Sequence, residues 1–228
     1  MPTIAFVSPK GGAGKTTAAL ILALGLADQG KRVALIDSDI NKPLLHWSKL
    51  PGKRETISVH PAPTAEDISI SLREANRLEP DWIILDTEGS ARGAMAFRLL
   101  RPDVIITPLA ASQLEVIQAL KASEMVREFG RRGDRTIPHL ALLTRLPVTQ
   151  KGEAVKQVVN QLRANGISLL PIPLIENQAF RTLFDIGGGF DEAEESGAPD
   201  VDAARANAGT YVAAVQDAVA SAKGKVAS

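Results

Sequence analysis

The run Pro9-Lys10-Gly11-Gly12-Ala13-Gly14-Lys15-Thr16-Thr17 brings together the residue types that anion binding needs. Glycines let backbone N–H groups turn inward around an anion, and the N-terminus of a following helix adds partial positive charge. Lys15 stands where a cation reaches terminal phosphates, and Thr16 where a hydroxyl ligates Mg²⁺. The strict pattern G-x-x-x-x-G-K-[ST] is broken, because Pro9 takes the first glycine position and Lys10 adds a second lysine. A glycine-rich turn that merely caps a helix is the plainer reading. The intact Gly14-Lys15-Thr16 triplet and the flanking strand and helix weigh against it.

The elements that must position this loop follow from hydrophobic periodicity. Residues 3–7 read as a buried strand and 15–29 as a helix apolar nearly all round, closed by Gly30. The pattern then repeats, with strands over 32–37, 57–60, 82–86, 104–107, 139–144 and 168–171. Helices are predicted over 43–50, 65–78, 94–100, 114–129 and 153–165. Continuous Val, Ile and Leu strands, each followed by a helix, predict a doubly wound α/β fold whose mostly parallel sheet carries helices on both faces. Asp37, Asp39 and Asp86 fall at strand C-termini, the edge where open α/β sheets bind ligands. After Gly187-Gly188-Gly189, the acidic residues Asp191, Glu192, Glu194, Glu195 and Asp200 predict a surface loop. The stripe Tyr211, Val212, Val215, Ala218, Val219 and Ala222 predicts a last helix docked on the protein's own body. With no internal repeat and no Pro-rich or Ser-rich linker, one domain over 1–228 is expected.

The loop resembles that of the ParA/MinD family of deviant Walker P-loop ATPases, through Lys10, Gly11, Gly12, Gly14, Lys15, Thr16 and Thr17. Asp37-Ser38-Asp39 stands where the family carries its D-x-D motif, and Asp86 ends Trp82-Ile83-Ile84-Leu85 as a Walker B aspartate does. Leu44-Leu45-His46-Trp47-Ser48-Lys49, and Pro171-Ile172-Pro173 followed by Phe180, look like segments of the small plasmid partition members. Two departures leave the subfamily open. Ile40-Asn41 follow D-x-D where many members have Pro-Gln, and Thr87-Glu88-Gly89 follow Asp86 where many have x-Pro-Pro. A conjugative-transfer or polar-positioning relative of the VirC type therefore stays beside the partition reading.

The resemblance implies ATP and Mg²⁺ as ligands, slow partner-stimulated hydrolysis and a homodimer that sandwiches the nucleotide. Lys10 would reach across that dimer to the other subunit's phosphates, where a second cation does what an arginine finger does. By the same likeness the loop from Lys10 through Ala13 to Thr17 holds the phosphates, Thr17 meets the α-phosphate, and Thr144, Arg145 and Pro173 occupy the region that holds adenine. Hydrolysis needs a positioned water, a metal and charge neutralisation. Lys15 and Lys10 supply the charge, and Asp39 is the candidate for orienting or activating the water. Thr16, Asp37 and Asp86 are candidates for the metal, directly or through water; for Asp37, capping the next helix is the alternative.

Composition sets the outer limits. With 228 residues, 45% hydrophobic and 23% charged, the chain can bury a full core and is not broadly disordered. Its 26 basic residues cancel its 26 acidic ones, so binding to nucleic acid needs a local patch. The absence of Cys excludes disulfides, thiolate metal sites and a cysteine nucleophile. His46, His60 and His139 have no ligand spacing. The apolar run 18–27 covers about half of the roughly 20 residues a bilayer span requires, so a cytoplasmic protein without stable membrane attachment is expected, and the resemblance implies that it is nucleoid-associated. Basic residues gather at Arg127, Arg131, Arg132 and Arg135, while Lys156 and Arg163 share the polar face of the 153–165 helix. In the family such surfaces bind DNA without sequence preference, under control of a small DNA-binding or adaptor protein. A first strand at Thr3 leaves no room for a leading helix-turn-helix. A membrane-cycling MinD-type regulator needs large apolar anchors on its last helix, which 221–228 lacks.

Overall fold

Short runs of Val, Ile and Leu are buried on both sides only when helices cover both faces of a sheet, and the chain builds that arrangement. The computed structural model describes residues 1–9, 11–87, 99, 101–133, 136–146 and 152–226. The strands are β1 (Thr3–Phe6), β2 (Val33–Asp37), β3 (Ile57–Pro61), β4 (Trp82–Asp86), β5 (Val104–Leu109), β6 (His139–Leu146), β7 (Ser168–Leu169) and β8 (Leu174–Ile175). They lie in the order β3-β2-β4-β1-β5-β6-β7, with β8 paired to the far end of β6, and every pairing is parallel. β1 therefore runs through the middle of the sheet, and the loop after it opens at the C-terminal edge between β4 and β5.

The helices are α1 (Lys15–Asp28), α2 (Pro43–Trp47), α3 (Ala65–Arg77), α4 (Gln113–Arg132), α5 (Glu153–Ala164), α6 (Gln178–Ile186), α7 (Phe190–Glu195) and α8 (Val201–Val226). Alternate strand residues separate the two faces. Ile4, Phe6, Leu35 and Ile84 pack with α1, α2, α6, α7 and α8, whereas Ala5, Ala34, Ile36 and Leu85 pack with α3 and α4. A third cluster joins α4 to α5 through Val116, Ala119, Val158 and Leu162. The doubly wound α/β architecture read from the sequence is the one observed. The helix expected over 94–100 falls outside the described residues apart from Leu99.

α1 is apolar all round because it is enclosed on two sides. Ala18 through Leu24 have no exposed surface, lying between the sheet and α8. Tyr211, Val212, Val215, Val219 and Ala222 are the buried stripe of α8, as the periodicity predicts. The Tyr211 hydroxyl donates to the Ala18 carbonyl in the first turns of α1 (3.3 Å).

The acidic stretch is not the expected loop. Phe190 and Ala193 are buried and wind it into α7, with the Phe190 ring set edge-on to Phe180 at 6.1 Å. Its carboxylates are neutralised by long-range arginines: Arg54 meets Glu192 at 2.8 Å and Asp191 at 3.2 Å, and Arg205 meets Asp191 at 2.8 Å. These partners lie 137, 138 and 14 positions away, beyond any local pattern. Gly187 (φ 74°) makes the approach possible, since a Cβ there would stand 2.4 Å from the Pro51 carbonyl oxygen. Two further elements, β8 and α6, are not among those predicted from the sequence. β8 has only two residues, and α6 holds nine.

Where α8 crosses α1, a Cβ on Gly25 would meet the Val212 Cγ2 atom at 2.6 Å. Gly25→Ala should therefore lower unfolding stability by about 1–3 kcal/mol through overpacking, despite alanine's better helix propensity. Adding Val212→Ala should recover part of the loss from the clash, so that the two changes couple in urea melts. Strictly additive losses would show that the helices separate freely.

Candidate functional site

Lys15 opens α1, and the residue before it, Gly14, holds a left-handed backbone (φ 89°) as the helix N-cap. Among the described residues no side chain caps this N-terminus and its first turn carries no acid, so its N–H groups face the cleft with their partial positive charge available to an anion. Gly12 (φ 77°) makes the preceding bend, and a Cβ at Gly11 or Gly12 would meet no atom within 4 Å. The turn thus encloses open space of the kind an anion occupies. Ala13 is buried beneath it, its carbonyl accepting the Thr144 hydroxyl at 2.9 Å. This bond fixes the loop to the end of β6.

The three aspartates come together here, in different roles. Asp86 is 1% exposed, and the Thr16 hydroxyl donates to its Oδ2 at 2.6 Å. Its Oδ1 is buried with no hydrogen-bond partner among the described residues. Burial pushes the Asp86 carboxyl up to about 7; the Thr16 bond and Lys15 oppose that rise, and Asp37 and Asp39 add to it. A carboxyl so placed gains from a cation. Thr16 and Asp86 fit a divalent ion on this observation, since the oxygen lacking a partner and the penalty on ionisation are both relieved by positive charge.

Asp37 lies beside Asp86 in the β2–β4 register, yet its oxygens are engaged. Oδ2 accepts the backbone N–H groups of Leu44 and Leu45 at 2.9 and 3.0 Å, and Oδ1 accepts that of Asp39 at 3.3 Å. The structure thus gives Asp37 the capping role at α2, whose own N-cap, Lys42, supplies no side-chain bond. These bonds favour the capping alternative for Asp37 and leave contact with a metal through water open. Asp39 is half-buried, with Oδ1 accepting the Asn41 N–H at 2.8 Å. Lys10, Arg135 and the side chain of Arg132 lie outside the described residues, as do the Glu88 and Gly89 that follow the Walker B position.

A cleft of about 520 Å³ joins Gly11, Gly12, Lys15, Thr16, Asp39 and Asn41. It shares Gly14, Thr17 and Arg145 with a narrower slot of about 120 Å³, whose far wall is Leu174, Glu176, Phe180 and Phe184. The cleft is polar at the phosphate loop and the slot largely apolar, the division that a triphosphate and a flat heterocyclic base require. Thr144 and Arg145 line the slot. Pro173 does not, since its carbonyl turns away to the Asn207 amide and the next residue forms the wall. Arg145 sits in the irregular β6–β8 register with φ 53°, a strained conformation for a residue other than glycine that carries its exposed side chain to the mouth of both depressions. Phe180 and Phe184 were the missed half of the slot. Their i, i+4 spacing behind the N-capping Asn177 is the signal that could have found them.

The basic residues assemble only in part. Arg127 and Arg131 are exposed and border a groove with Thr136 and Ile137 at the C-terminal end of α4. Lys156 and Arg163 are exposed on the neighbouring α5, where Lys156 comes within 3.9 Å of Glu153. Since both helices run back from the strands' C-terminal edge, Arg127, Arg131 and Arg163 lie toward the end of the sheet opposite the phosphate loop.

A parallel sheet with this loop after its central strand defines a P-loop nucleotide-binding fold. Within that class the chain belongs to the VirC1 protein family, whose model matches residues 1–223. The chain is 27% identical over 188 residues to the protein ParA of Rhizobium radiobacter, a match covering 82% of this chain and 84% of that one. Among solved structures, apo McdA of Cyanothece superposes with a TM-score of 0.73 at 17% identity, over 96% of this chain and 99% of that one. A Borrelia burgdorferi plasmid partition protein bound to AMPPNP does so with a TM-score of 0.66 at 16% identity, over 95% and 98%.

If Asp37 is a cap, Asp37→Ala should cost about 1–3 kcal/mol, because two N–H groups lose their acceptor where one of them is buried. Asp37→Asn, which keeps one acceptor oxygen, should cost less than half as much in urea denaturation without added metal. Equal, negligible losses from both changes would remove the capping role and leave Asp37 as a metal candidate alone.

Proposed function

We propose that this chain is a ParA-like ATPase, one P-loop domain that binds ATP with Mg²⁺, dimerises around the nucleotide and uses slow hydrolysis to position DNA or another cargo. The observation that carries the reading is the short Thr16–Asp86 hydrogen bond beside Lys15, at the open N-terminus of α1. The family, the partition relative and the AMPPNP-bound neighbour support it. In this reading Gly11 to Thr17 cradle the phosphates, Lys15 pairs with the terminal ones, and Thr144 and Arg145 border the base.

A Mg²⁺ ion held by Thr16 and Asp86 supplies charge neutralisation on the phosphates. The chain's own residues do the rest. Lys15, 7% exposed, brings a cation whose loss of hydration is offset by phosphate. Asp39 at the cleft wall orients the attacking water and accepts its proton. Lys10 completes the charge from the second subunit, as the family likeness implies. The site is assembled only when two copies meet, so hydrolysis and dimer lifetime are linked and a partner protein that alters either can release the cargo. The protein then works in the cytoplasm, on the nucleoid where DNA is its track. Among the described residues no helix is long and apolar enough to cross a membrane. The VirC1 match favours one second reading, an accessory ATPase of conjugative transfer with the same nucleotide chemistry and a different cargo.

Lys15→Ala should abolish ATP binding in calorimetry, whereas Asp39→Ala should bind ATP at near wild-type affinity, lose turnover by at least about a hundredfold and persist as a dimer in light scattering. Wild-type hydrolysis by the Asp39 variant would remove the water-positioning role.

DNA binding should be weak for the neutral monomer and stronger with ATP, because a dimer doubles the phosphates neutralised and steepens the salt dependence, roughly −0.9 per contact on duplex. Replacing Lys156 and Arg163 should flatten that slope by about one unit per lost contact per subunit, equally on all sequences. An ATP-bound protein that never shifts a random duplex at low salt would leave the accessory reading as the better one.

A further inference from the structure

We infer that Asn207, on α8, is a positioning residue for the nucleotide base, an assignment that rests on the slot being the base site proposed above. β8 is two residues long and pairs on one side only, with the irregular end of β6. A strand so short has little cooperative support of its own. Its other edge is held by one side chain. The Ile175 N–H donates to Asn207 Oδ1 at 3.0 Å, and Asn207 Nδ2 donates to the Pro173 carbonyl at 2.9 Å. The amide presents one acceptor and one donor to alternate backbone groups, as a neighbouring strand would.

The segment held this way is the slot's wall. Leu174, Ile175 and Glu176 line it directly, and the Glu176 N–H is fixed in turn to the Leu146 carbonyl at 2.9 Å. A second tie from the same helix region reinforces the first, with Asn177 Nδ2 donating to the Asp200 carbonyl at 3.2 Å. Asn207 itself is not among the slot's lining residues, so it acts through the backbone it holds. The phosphate cleft lacks this dependence. Its loop is fixed by Gly14, by α1 and by the Thr144–Ala13 bond, none of which involves Asn207. Losing the Asn207 amide should therefore weaken base binding and leave phosphate binding intact.

The test compares ATP with inorganic triphosphate, by calorimetry with Mg²⁺ on the full chain. Wild-type protein should bind ATP more tightly than triphosphate. Asn207→Ala should weaken ATP by about tenfold, the loss of two modest hydrogen bonds, and leave triphosphate affinity unchanged. Hydrogen exchange should show the Ile175 amide losing protection while the amides of β1 and β4 keep theirs. Asn207→Asp, which retains the acceptor for Ile175, gives a second and milder variant if the alanine form is poorly folded; the same split between ATP and triphosphate is expected. Gln216→Ala, a half-buried α8 position bonded to Gln29, should alter neither affinity. Equal weakening of ATP and triphosphate, or an unchanged ATP affinity with Ile175 deprotected, overturns the assignment. If wild-type protein fails to prefer ATP over triphosphate, the slot is not a base site and the assignment falls with that reading.

Discussion

One short hydrogen bond, from the Thr16 hydroxyl to the Asp86 carboxylate, joins the first turn of α1 to the end of β4, and most of the site depends on it. It places a buried acid within reach of the phosphate loop although 70 residues separate the two in sequence. The β1–β4 register makes this possible, since Phe6 stands opposite Asp86 and the loop leaves the sheet beside it. Burial would otherwise expel charge from such a position. The carboxyl is held near 7 by the balance of desolvation, the Thr16 bond, Lys15 and its two acidic neighbours. A site so balanced responds strongly to one added cation, which is the behaviour a nucleotide-dependent switch requires.

The same logic separates the aspartates. Asp37 and Asp86 share a sheet edge, and two unpaired carboxylates there would repel. Turning Asp37 toward the amides of Leu44 and Leu45 directs its charge to the N-terminus of α2, where the helix dipole favours it. Asp86 is left as the acid with an oxygen lacking a partner among the described residues. Asp39, one step beyond the strand, faces the cleft from its own Asx-type turn.

Legibility in the sequence follows how local each determinant is. The Gly-Lys-Thr loop, the apolar strands and the α8 stripe each announce themselves within a few residues, and the fold and the candidate phosphate loop are read from them. The choice between cap and ligand at Asp37 depends on where α2 turns, which its composition does not say. The proposed base half is harder still, because its wall is a two-residue strand held by a side chain 32 positions away. α7 was hidden for a related reason. Its acidic composition imitates a solvated loop until Arg54 and Arg205 are brought against it.

α8 is where these long-range determinants converge. Tyr211 bonds α1 near the glycine-rich loop, Asn207 bonds the wall of the proposed base slot, and Arg205 bonds α7. A helix that touches the supports of both halves of a site can register whether the two are filled together. On the proposed function, triphosphate alone would engage the loop end, whereas a complete nucleotide would also load the wall that Asn207 holds. On the proposed function that distinction has a use, since the nucleotide-bound dimer is the form that must hold DNA. On that reading α8 would link the supports of the two halves, through Tyr211 at one and Asn207 at the other, while the strands stay buried on both faces.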